Sequence, residues 1–125
     1  LNANWRELPA GLELDRVIAA RLGWMDLEVR DEWSETAEDI YHTDRLFGLS
    51  TETPEKSYVP QYSTNADDAL SLIGRSLMFA MWQGLDVWCA TCDETCDLNV
   101  PIGGYYETGD TPALAICRAW LAHGA

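Results

Sequence analysis

Positive charge is what this chain has least of: eight Lys and Arg stand against 21 Asp and Glu in 125 residues, a formal net charge of −13 at pH 7. That balance opposes direct binding to a nucleic-acid backbone or an anionic bilayer, and it leaves neutral or basic macromolecules as partners. The plain alternative is an acidic surface that serves only solubility. Long apolar runs are missing as well, with none near the roughly 20 residues that cross a bilayer, and no basic segment followed by an apolar stretch reads as a secretory leader. The expectation is a soluble, cytoplasmic protein, and Leu1 in place of Met reads as a trimmed or processed start. Histidine is confined to His42 and His123, without a nucleophile motif beside either. Gly103-Gly104 lacks the surrounding pattern of a phosphate loop.

Apolar residues, by contrast, make up 47% of the sequence and include six Trp, enough to build one domain around a single core. From Leu12 to Leu22 apolar positions recur at helical spacing, and Gly23 closes that amphipathic helix. Asp26 to Arg30 alternates polar and apolar as a short, half-buried strand does. Residues 31–60 then form an acidic excursion with eight acidic and two basic residues, broken by Pro54 and Pro60. Trp33, Tyr41, Leu46, Phe47 and Leu49 offer it anchors, with one helical turn expected around Ala37 to Tyr41.

Ser63, Thr64 or Asn65 can cap the next helix, with Asp67 and Asp68 favouring its N-terminus. Ala66, Ala69, Leu70, Ile73, Leu77, Ala80 and Met81 share one apolar stripe, so a long buried helix is expected up to Gly84. Leu85 to Cys92 and Tyr105 to Thr108 read as strands of an antiparallel hairpin, joined by the Asp26 to Arg30 strand. Thr111 and Pro112 supply the cap and first position of a closing helix. The fold class is therefore α+β, a small antiparallel sheet packed between helices as an α/β/α sandwich.

Cys89-Ala-Thr-Cys92-Asp-Glu-Thr-Cys96 is the sharpest metal candidate, because closely spaced thiolates can enclose Zn²⁺ with Cys117 or His42 as the fourth ligand. Against it, Cys117 lies in an apolar helix, where a small core residue suffices, and the default is no cofactor. Thiols in a reducing compartment need no disulfide framework. Asp93, Glu94 and Asp97 lack the alternation and central glycine of a calcium loop. Trp5 and Trp33 are the tryptophans placed for an exposed contact.

Three stretches stand in order: Leu14-Asp-Arg-Val-Ile-Ala-Ala-Arg-Leu-Gly-Trp24, Val59-Pro-Gln-Tyr-Ser-Thr-Asn-Ala-Asp-Asp-Ala-Leu70 and Asp110-Thr-Pro-Ala-Leu-Ala-Ile-Cys-Arg-Ala-Trp-Leu121. Together they resemble the phage ABA sandwich domain family, small proteins of phages and prophages. The resemblance implies an α/β/α fold and a setting in the cytoplasm of an infected bacterium, and it brings no catalytic residue. The functional expectation is a non-enzymatic accessory protein that binds a host or phage protein with a basic surface. Trp33, Glu35, Glu38, Asp39, Tyr41, Asp44 and Phe47 are its candidate contact residues. An acidic mimic of nucleic acid that blocks a host defence or regulatory protein is the second reading, and a small zinc module the third.

Overall fold

The computed structural model describes residues 4–35, 40–73, 78–84, 86–93 and 106–124. Helix α1 spans Leu12–Leu22 with Glu13 and Asp15 in its first turn and Arg21 in its last, charges that suit the helix dipole. Gly23 ends it at φ 98°, a left-handed position that glycine takes without steric cost. The Gly23 and Trp24 N–H groups donate back to the carbonyls of Ala20 and Ala19, so the last turn is satisfied as the chain leaves it.

The chain then enters strand β1, Met25–Glu35, which runs antiparallel to β2, Ile40–Leu49; β2 in turn pairs with β3, Lys56–Tyr58. A register shift between Met25 and Glu28, with Asp26 at φ 53°, bends the start of β1; from Glu28 to Glu35 the pairing with β2 is continuous. The acidic excursion is thus largely a strand ribbon. Ala37 to Asp39 lie outside the described residues, and Ile40 and Tyr41, expected in a helical turn, belong to β2. Tyr41, Thr43 and Phe47, aromatic or β-branched, are the strand signal that the acidic composition masked.

Helix α2 covers only Ala66–Leu70, and Asn65 caps it by accepting a hydrogen bond from the Asp68 N–H at 3.1 Å. The long helix expected here stops early: Leu72 and Ile73 bond three residues back, and Met78–Gln83 is strand β4. β4 pairs antiparallel with β5, Trp88–Asp93, across a turn in which the Gly84 N–H donates to the Val87 carbonyl. An unbroken apolar run such as Met78-Phe-Ala-Met-Trp carries no period of its own, and Gly74 weakens helix propagation into it. β5 also pairs with β6, Glu107–Gly109, as the hairpin reading anticipated, although β1 joins β2 and β3 in a separate sheet.

Helix α3, Pro112–Gly124, holds these parts together. Thr111 Oγ1 accepts from the Leu114 N–H at 3.3 Å, and Pro112 follows at the first helical position. On one side Ala115 and Ala119 pack against Ala90 and Trp88 of the second sheet. On the other, Leu114, Ile116, Cys117 and Leu121 meet Leu14 and Ile18 of α1, Leu46 of β2, and Val59, Tyr62, Ala69 and Ile73. The small residues matter because β6 runs close to the helix: a Cβ on Gly109 would lie 2.6 Å from the Ala115 nitrogen. Arg118 extends the same junction by donating to the Thr108 carbonyl at 2.8 Å and the Leu8 carbonyl at 3.1 Å. The result is an α+β domain with small antiparallel sheets packed on helices.

Candidate interaction surface

The ribbon of β1 and β2 leaves the core within two residue pairs. Leu46, opposite Val29, is 2% exposed, whereas Val29 itself is 47% exposed and the next residues on that face, Asp31 and Asp44, stand opposite one another in solvent. Arg30 and Thr43, on the opposite face, are exposed as well. Between Arg30 and Arg45, residues 31–44 contain six acidic residues and no Lys or Arg. From Arg30 to Glu35 the strand extends about 17 Å at the usual rise per residue.

The other face, at the base of the ribbon, is unlike the rest of the surface. Arg30 and Arg45 are register partners, an arrangement in which like charges repel. Each guanidinium lies over an aromatic ring: Arg30 is 3.9 Å from the Phe47 centroid and Arg45 is 5.0 Å from that of Tyr58. Those two rings meet edge to face at 5.2 Å. Glu28 accepts from Arg30 at 2.8 Å, with Lys56 Nζ 3.8 Å away, and Arg45 also donates to the Val59 carbonyl at 3.0 Å. These contacts fix the root of the ribbon and mark where the acidic segment begins.

The candidate contact residues fall along this ribbon. Trp33 and Glu35 occupy β1, in register with His42 and Ile40, while Tyr41 pairs with Ser34 in β2. Asp44 is exposed, and Phe47 is half-buried beneath Arg30. Glu38 and Asp39 lie outside the described residues. Sequence reasoning missed Arg30, Arg45, Lys56 and Tyr58, whose signal is visible only once the strand register is known.

A second cluster is buried. The Asp15 carboxylate accepts from the Ser63 N–H at 2.8 Å and from the Ser63 hydroxyl at 2.7 Å, while Ser63 Oγ accepts from the Gly11 N–H at 2.9 Å. Ser63, one of the expected helix caps, therefore ties α1 to the segment before α2, and Asn65 does the capping. Burial pushes the Asp15 carboxyl above its ordinary range, and the two bonds from Ser63 oppose that shift. Close by, the Cys117 thiol donates to the Tyr62 carbonyl at 3.1 Å and is raised by burial, as is the Tyr62 phenol. Leu14-Asp15, Tyr62-Ser63 and Ile116-Cys117, one from each stretch of the family resemblance, meet here. With Ser63 and Cys117 fully closed to solvent and Asp15 nearly so, the cluster works as a hydrogen-bonded latch between elements.

Cys89 is buried in β5 and Cys117 in α3. Position 92 is also on β5, and Cys96 lies outside the described residues. Among the described residues no three His, Cys, Asp or Glu side chains gather as a metal-binding group. No described helix is long and apolar enough to cross a membrane. Compared with known proteins, the chain matches no family model, no curated protein and no solved structure.

Proposed function

We propose that this chain is a non-enzymatic phage or prophage accessory protein that binds another protein through the acidic β1–β2 ribbon. The observation that carries the reading is the exposed pair Asp31 and Asp44, opposite one another on the ribbon, with six acidic residues in sequence between the two root arginines. A protein with a basic surface in the cytoplasm of the infected bacterium is the partner this chemistry suits. Such complementarity accelerates encounter and selects partners, and salt weakens it.

The buried polar groups support the same reading from the other side. Asp15 and Ser63 are bonded to each other, the Cys117 thiol donates to the Tyr62 carbonyl, and all three are closed to solvent, so these reactive side-chain types are spent on stability. The test is affinity capture from a bacterial lysate with the wild type and a D31K/D44K variant as baits, at about 50 mM and about 300 mM salt. A basic protein held by the wild type, lost from the variant and released by salt is the expected result. Identical captures by both baits would remove the ribbon from the account.

A further inference from the structure

We propose that the outer edge of β1, over Glu28–Glu35, receives an extended basic segment of the partner protein as a fourth strand of the first sheet. This deepens the proposed function and rests on it. In the order β1-β2-β3, β1 is an outermost strand, and among the described residues its ladder runs along β2 alone. One side of its backbone therefore presents N–H and C=O groups to whatever strand lies alongside, over a stretch in which the register with β2 is unbroken. Eight residues match the length of an ordinary strand.

Three features select the occupant. First, the ribbon is exposed on both faces at Val29, Arg30, Asp31, Thr43 and Asp44, so side chains of a strand laid beside β1 meet solvent-facing neighbours there. Second, the edge is acidic: Glu28, Asp31, Glu32 and Glu35 stand against Arg30 alone. A second copy laid along β1 would bring these carboxylates together, so the charge works against self-pairing and selects a strand rich in Lys or Arg. Third, Asp31 and Asp44 are exposed register partners on one face, and together they present two carboxylates to a cation on the incoming strand. Val29, 47% exposed on that same face, gives an aliphatic residue of the incoming strand something to cover. Strand addition also accounts for specificity, since backbone bonds hold any extended chain and side-chain alternation chooses among them.

The experiment uses the full chain and a synthetic peptide of alternating Lys and Val as the probe, with a second peptide of identical charge N-methylated at every other residue. N-methylation removes the ladder donors and leaves the cations in place. The wild-type protein is expected to bind the unmodified peptide at least about tenfold more tightly than the methylated one, from the loss of several backbone bonds. Amide exchange of alternate residues in β1 slows when the unmodified peptide is added. Equal binding of both peptides, abolished by D31K/D44K, would overturn strand addition while leaving an acidic contact surface standing. Binding of the unmodified peptide that is indifferent to D31K/D44K, or no binding of either, would overturn both. Sedimentation showing that the free protein already pairs along β1 as a dimer would overturn the choice of a basic occupant.

Discussion

Replacing Ser63 by alanine removes one hydroxyl and, with it, two bonds of the latch between α1 and the chain before α2. The hydroxyl donates to the Asp15 carboxylate at 2.7 Å and accepts from the Gly11 N–H at 2.9 Å, at a side chain with no solvent exposure. A bond to a charged group contributes about 1.5–3 kcal/mol, and a helix-entry N–H left without its partner costs about 1 kcal/mol. The expected loss is therefore about 3 kcal/mol, read as a lower urea midpoint at unchanged slope and followed by tryptophan fluorescence. In an Asp15→Asn background the remaining amide oxygen still accepts, but as a neutral group, so the same substitution should cost about 1.5 kcal/mol less. A Ser63→Ala loss below about 1 kcal/mol, or an equal loss in both backgrounds, would refute the charge-assisted latch.

Four other outcomes follow from the packing. Because burial raises the Asp15 carboxyl above 3.8, the folded state holds that proton more tightly than the unfolded chain does; the stability this adds is present below pH 3.8 and is lost as pH climbs through the raised value. The difference in stability between wild type and Asp15→Asn should accordingly fall over that interval and then stay level toward neutral pH. Gly109→Ala places a Cβ against the Ala115 nitrogen and Leu114 Cγ and should cost about 2 kcal/mol or more in thermal or urea unfolding. Ile116→Ala, at a side chain with no exposure, should cost about 2–5 kcal/mol by the same assays. Cys117, buried and raised by desolvation, should react with a thiol reagent only at the rate of global opening, so its modification should accelerate in proportion to destabilisation by Ile116→Ala.

Helix ends were the most legible part of the sequence. Gly23 after Leu22, and Thr111-Pro112 before the closing apolar run, are local signals with local causes, and the boundaries of α1 and α3 follow them. The 88–93 and 107–109 pairing was legible for the same reason, as strand-rich runs separated by turn residues. Met78–Gln83 was not, because six largely apolar residues satisfy a helix stripe and a buried strand equally, and what decides between them is the pairing with β5, which the run itself does not display. Residues 40–49 were hidden differently: charge density drew attention from the aromatic and β-branched residues that pairing with β1 turns into a ladder. At the site, the acidic character of residues 31–44 was visible, but the juxtaposition of Arg30 with Arg45 over Phe47 and Tyr58 exists only through register. The Asp15–Ser63 bonds join residues 48 apart in sequence, and no local pattern announces such a pair.

Whether the acidic ribbon is the contact surface is decided by a backbone NMR titration of the full chain with the alternating Lys and Val peptide at low salt. Shift changes are expected to concentrate in residues 28–35 and 40–47 and to fade as salt is added. Changes centred on α3 or on the sheet of β4, β5 and β6, or changes in the ribbon that salt leaves untouched, would contradict that assignment.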